Sequence, residues 1–81
     1  MNIVEYTEFL VKNIAKEADL VKVTSFTGDE GVTIIEIIVA NDDMKVVIGK
    51  DGRTANALRT LIQAYAYIHE IKNVKINIDS F

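Results

Sequence analysis

Gly49 and Gly52 stand three residues apart, with Lys50 and Asp51 between them and Arg53 directly after. Neither glycine carries a Cβ, so the chain can turn sharply there and a ligand can come close to the backbone. Where such a turn opens a helix, unpaired N–H groups point outward and the positive end of the helix dipole favours an anion. The chemistry on offer is anion binding, and phosphate is the anion that fits it. Lys50 adds a mobile point charge, and Arg53 a planar fork that can engage two oxygens at once. The carboxylate of Asp51 works against this by repelling phosphate. It predicts weak binding by one isolated domain, which dimerisation would offset by raising effective concentration along one ligand.

The net charge is −3, which on its face argues against a polyanionic partner. Distribution matters more than the total. Residues 44–59 hold Lys45, Lys50, Arg53 and Arg59 against Asp51 alone, a local charge of +3, so the remainder carries −6. With a Debye length of about 8 Å at physiological salt, distant acids are largely screened from a ligand at the glycine turn.

Hydrophobic periods predict the elements that hold this turn. Asn2 followed by Glu5 has the form of a capping box, and Ile3, Tyr6, Phe9 or Leu10, and Ile14 recur at helical spacing to about Ala18. Leu20 to Thr27 is β-branched and aromatic, Gly28-Asp29-Glu30-Gly31 supplies turn chemistry, and Val32 to Ala40 follows, which predicts a hairpin. The second strand is apolar on both faces, with Ile35, Ile37 and Val39 on one and Ile34 and Ile38 on the other, so it belongs at the centre of a sheet. Asn41, Asp42 and Asp43 are N-cap residues for a short helix, Met44 to Ile48, that leads into the glycine turn. Beyond it, Ala55, Leu58, Leu61 or Ile62, Tyr65 and Ile68 trace one face of a long helix to about His69. Val74, Ile76 and Ile78 then alternate with Lys75, Asn77 and Asp79 as a strand buried on one face. The order is α-β-β-α-α-β. Two helices between the central and last strands allow parallel pairing there, giving an α+β fold: a three-stranded mixed sheet covered by helices on one face.

Catalysis finds little support. A phosphate loop of the nucleotide-hydrolysing kind needs Gly-x-x-x-x-Gly-Lys-[Ser/Thr], and the spacing here does not supply it. The serines, Ser25 and Ser80, have no base partner nearby in sequence, and His69 is the lone histidine, near a helix C-terminus where positive charge is welcome. The chain has no cysteine, so no disulfide or thiolate metal site forms, and neither a metal nor a cofactor is expected. Apolar runs such as Ile37-Ile38-Val39-Ala40 fall far short of the roughly 20 residues that span a bilayer, and no charged-then-apolar leader opens the chain. With 49% apolar and 26% charged residues, the expectation is one soluble, cytoplasmic domain over residues 1–81.

Val47-Ile48-Gly49-Lys50-Asp51-Gly52-Arg53-Thr54-Ala55, set between a short and a long helix after a hairpin, resembles the signature of the type II KH domain, and the likeness covers the whole chain. With no further domain in view, the chain is similar to the small bacterial single-KH-domain RNA-binding proteins of the KhpA type. The resemblance implies a Gly-x-x-Gly loop that clamps the backbone of about four single-stranded nucleotides, with bases in a narrow groove beside it. On this chain the amides of Lys50 to Arg53 would face phosphates. Ile48, with Val47 and Ala55 or Ala57, would floor the groove, and Lys45 and Arg59 would be rim charges. It also implies a KhpB or Jag-type KH partner and a role as RNA chaperone or post-transcriptional regulator, linked to cell elongation and envelope homeostasis. A rival reading is a protein-interaction module that dimerises and binds little RNA, resting on the negative net charge, Asp51, and apolar Ile34, Ile38, Tyr65, Tyr67 and Ile71.

Overall fold

Asn2 opens the first helix through a reciprocal pair: its side chain accepts the Glu5 N–H at 2.8 Å, and the Glu5 carboxylate accepts the Asn2 N–H at 2.9 Å. In the computed structural model, which describes Met1–Phe81, this helix is α1, Ile3–Lys12. It stops well short of Ala18, where the apolar period was expected to carry it. The Asn13 side chain donates to the Phe9 carbonyl at 2.7 Å, and the N–H groups of Ile14 and Ala15 both turn back to the Val11 carbonyl. A short 3-10 turn, Ala18–Leu20, follows, so the first strand starts two residues later than expected.

Strands β1 (Lys22–Thr27) and β2 (Thr33–Val39) form the antiparallel hairpin, with Ser25 opposite Ile35. Its turn reverses through left-handed Glu30 and Gly31, at φ 58° and 74°. Helices α2 (Met44–Ile48) and α3 (Arg53–Ile68) lead to β3 (Val74–Ser80), which runs parallel to β2 with Ile35 opposite Ile76. The sheet order is β1-β2-β3, so the strand that is apolar on both faces is indeed the central one. Ile35, Ile37 and Val39 are fully buried beneath the helices, while Ile34, Glu36 and Ile38, on the face without helices, are only half-covered.

Helix α3 turns Ala55, Leu58, Ile62 and Ala66 inward. Of the expected face, Leu61 gives way to Ile62, Tyr65 is half-buried, and Ile68 is 74% exposed. Six residues beyond Ile62, Ile68 is rotated about 120° around the axis, and Ala66 takes the inward position instead. Tyr65 stacks between Tyr6 of α1 (4.6 Å between ring centroids) and His69 (4.2 Å), and its hydroxyl donates to the Met1 carbonyl. This column ties the start of α1 to the end of α3 and gives His69 a structural place.

One polar atom in the core has no partner: Thr7 Oγ1, on the inward face of α1. A buried hydroxyl without an acceptor costs free energy that an apolar group of the same shape does not. Thr7→Val is expected to raise stability by about 1 kcal/mol, or about 4–8 °C in Tm for a domain of this size. Thermal unfolding followed by circular dichroism measures this, and a lower Tm would show that the hydroxyl is satisfied in solution.

Candidate nucleic-acid interface

Helix α2 has five residues, too few for a helix to hold itself together in water, so its neighbours must fix it. Asp43 stands at its N-cap, yet the carboxylate does not cap as its residue type suggested. It reaches across to the segment after α1, where Oδ1 accepts the Lys16 N–H at 3.0 Å and Oδ2 the Glu17 N–H at 2.9 Å. Val47 enters the core from the middle of the helix. At its end the Gly49 N–H donates to the Lys45 carbonyl at 2.8 Å, and the chain leaves the helix.

The loop then passes through three positive-φ residues. Gly49 lies at φ 78°, ψ 170°, a region essentially confined to glycine. A Cβ built there would stand 2.3 Å from Thr54 Oγ1 and 2.8 Å from Thr54 N, so the first turn of α3 rests directly against this glycine. Gly52, at φ 73°, ψ 13°, is left-handed but looks onto open space, with nothing within 4 Å of a Cβ. Between them Asp51 is also left-handed, at φ 56°, ψ 25°. Aspartate and asparagine tolerate that conformation better than most residues, which accounts for a carboxylate in a loop suited to anions.

Of the four amides expected to face a ligand, two are used internally. The Gly52 N–H donates to the Gly49 carbonyl at 3.1 Å, and the Arg53 N–H turns to the Lys50 carbonyl. Those of Lys50 and Asp51 have no acceptor within the chain. The start of α3 has no side-chain cap and no acidic residue in its first turn. A sixteen-residue helix therefore presents its positive end uncompensated.

The charges around the loop are free. The single ion pair in the structure is Lys12 with Glu8, at 3.5 Å, so Lys45, Lys50, Arg53 and Arg59 are all unpaired. Lys45, Lys50 and Arg53 are exposed and Arg59 is half-buried. Arg53 and Arg59, six residues apart on α3, point about 120° away from each other. Lys50 and Arg53 thus flank the loop while Arg59 faces another side of the helix.

Two expected site residues lie elsewhere. Val47 and Ala55 are 0% and 2% exposed, members of the interior rather than of a groove floor, because α2 and α3 both turn these side chains toward the sheet. Ile48 remains half-buried next to the loop, Ala57 is exposed on α3, and Val46 is exposed on α2. Val46 was missed because a five-residue helix shows no period from which to read its faces. Thr54 was missed as well, although it stands within the motif string. The surface concavities lie away from the loop, at the C-terminal end of α3, at Lys16–Leu20, and by Glu30 and Asn73. The loop is an open surface.

A family model described as "KhpA/KhpB, KH domain" matches residues 4–78. The chain belongs to the KhpA/KhpB KH-domain family. Among its relatives, an RNA-binding protein KhpA from Caldanaerobacter subterraneus subsp. tengcongensis is 47% identical, with the match covering 85% of this chain and 95% of the relative. A namesake from Clostridium acetobutylicum is 42% identical over 88% of this chain and 92% of its own. The fold of the KhpA/KhpB domain also recurs in Era, solved in complex with a 16S ribosomal RNA segment. The TM-score is 0.62 at 20% identity, covering 96% of this chain and 29% of that one, and the likeness shows the type II KH fold. No helix of the chain is long and apolar enough to cross a membrane, and no cluster of His, Cys, Asp and Glu could hold a metal ion.

The two glycines should respond differently to a methyl group. Gly49→Ala meets both a forbidden conformation and Thr54, and is expected to cost roughly 3 kcal/mol or more. Gly52→Ala meets only left-handed strain and should cost about 1–2 kcal/mol. Urea unfolding of the two variants distinguishes them, and equal losses would contradict the contact between Gly49 and Thr54.

Proposed function

We propose that this chain is a non-catalytic, single-domain RNA-binding protein, residues 1–81, that holds single-stranded RNA against the Gly49–Gly52 loop. The observation that carries the reading is the coincidence of two unpaired amides, Lys50 and Asp51, with unpaired Lys50 and Arg53 at the uncapped start of α3. Free N–H groups beside mobile cations suit phosphate oxygens, and a Gly52 with open space around it lets a sugar-phosphate backbone approach. Ile48 and Val46 offer apolar surface to bases, Lys45 a further cation, and Arg59 a more distant one. Val47 and Ala55 support the loop from beneath. The names of the relatives agree with this reading, and open geometry suits a flexible strand more than a rigid duplex.

We extend the proposal to a cytoplasmic partnership with a KhpB or Jag-type KH protein, which membership of the KhpA/KhpB family supports. The role is that of an RNA chaperone or post-transcriptional regulator, linked to cell elongation and envelope homeostasis. A second surface favours association, either with that partner or with another copy. Ala57, Leu61, Ala64 and Ile68 fall on one stripe of α3, facing away from the core, and all four are exposed. Leu61 is 45% exposed and Ile68 74%. This stripe is a better candidate interface than Ile34, Ile38, Tyr65 or Ile71, which are all partly covered within the chain, whereas Tyr67 is exposed close by.

Lys50→Asp places a second carboxylate in the loop at an exposed position, and is expected to abolish single-strand binding while leaving Tm unchanged. For the unaltered protein, two or three phosphate contacts give a log–log salt slope of roughly −1.4 to −2.1 on single strands. Fluorescence anisotropy with a labelled oligoribonucleotide reads both, and unchanged affinity in the variant would refute the assigned site. For the second surface, Leu61→Lys is expected to convert a dimer to a monomer by light scattering after size exclusion. A native protein already monomeric at high concentration would exclude self-association through α3.

A further inference from the structure

Asp43 is the one charged side chain withdrawn from water, at 1% exposure. Burying a carboxylate is costly unless it is fully hydrogen-bonded, and here each oxygen takes one amide, from Lys16 and Glu17, residues 27 and 26 positions earlier in the chain. Those two amides come just after α1 has ended, where the chain has left the helix and offers them no helical acceptor. The interaction therefore joins the α1–β1 connection to the N-cap of the helix that carries the glycine loop.

We infer that Asp43 is a positioning residue for the Gly49–Gly52 loop. Three points fix α2: Asp43 at its start, the buried Val47 in its middle, and Gly49 against Thr54 at its end. A helical rise of 1.5 Å per residue puts the first and last points about 9 Å apart. The other two points, Val47 and Gly49, are only two residues apart, about 3 Å along the axis, and cannot by themselves hold the direction of a helix of one and a half turns. Without the first point α2 swings about them, and the swing turns the loop and the free amides of Lys50 and Asp51. The role needs a carboxylate. An asparagine keeps one acceptor oxygen but turns an NH2 donor toward the second amide, so one of the two bonds becomes a clash of donors.

The consequence for RNA rests on the reading of the loop as the RNA site; the positioning does not. The test is Asp43→Asn in the full chain, with Asp43→Glu, which keeps the charge but displaces it by a methylene, for use where the asparagine variant does not fold. Val11→Ala, a core truncation remote in sequence from α2, is the stability control. Backbone amide NMR signals of Gly49 and Gly52 report loop position, and anisotropy reports oligoribonucleotide affinity well below each Tm. The expected result is displaced Gly49 and Gly52 signals and affinity lowered about 5-fold or more, the lower end of coupling between linked sites, with neither change in Val11→Ala. Unmoved loop signals in the folded Asp43 variants, or equal movement in Val11→Ala, would overturn the inference. Displaced signals with unchanged affinity would uphold the positioning role and refute the loop as the RNA site.

Discussion

The close contact of Gly49 with Thr54 is the constraint from which the geometry of the loop follows. No side chain fits at position 49 between the end of α2 and the first turn of α3, so the bare backbone of Gly49 rests directly on Thr54. A chain that arrives this close has to reverse within three residues, and it does so through left-handed Asp51 and Gly52. That reversal leaves the Lys50 and Asp51 amides without internal acceptors. Exposed donors at this place are thus a by-product of steric closeness, and a residue with a Cβ at position 49 would remove them together with the turn. Asp51 belongs to the same logic. The backbone asks for a residue that accepts the left-handed region, and aspartate meets that demand at some electrostatic cost to an anionic ligand.

The sheet fixes where this junction sits. With β2 in the centre and parallel to β3, the connection between them must cross the sheet, and α2, the loop and α3 are that crossing. Ile35, Ile37 and Val39 supply the surface that Val47, Leu58 and Ile62 cover. Burial of this kind is worth about 25 cal/mol per Å² of apolar surface and does not depend on direction. It holds the layers together without deciding where α2 points. Direction comes from the specific contacts at the helix ends, and those of α2 lie at Asp43 and Gly49.

Elements governed by neighbours in sequence were legible in the residues alone. The capping box at Asn2 and Glu5, the hairpin around Gly28 to Gly31, the bounds of α2 and the central place of β2 all rest on local patterns or simple alternation. Failures came where a distant contact decided. Helix α1 ends at Lys12 although its apolar period continues, because Ile14 and Ala15 turn back to Val11 and the next two amides bind a carboxylate 26 and 27 residues away. Asp43 looked like a helix cap for the same reason. Short helices were the other difficulty. In α2 five residues could not tell Val47, which is buried, from Val46, which is exposed. In α3 the sixteen residues were enough to find the inward face, but apolar residues on both sides led the pattern astray at Ile68.

Apolar residues on both sides of α3 have a physical consequence for affinity. A loop with two free amides and two flanking cations, one of them next to a carboxylate, would be a weak phosphate site when it acted alone. The outward stripe from Ala57 to Ile68 starts about one and a half turns beyond that loop and runs along the same helix. Association through the stripe would hold two phosphate-binding surfaces at a fixed separation, so a strand bound to one meets the second at high effective concentration. Under the proposed reading, weak individual sites would favour rapid exchange at each loop while the pair retained the strand, and the acidic remainder of the chain would repel RNA that touched it anywhere else.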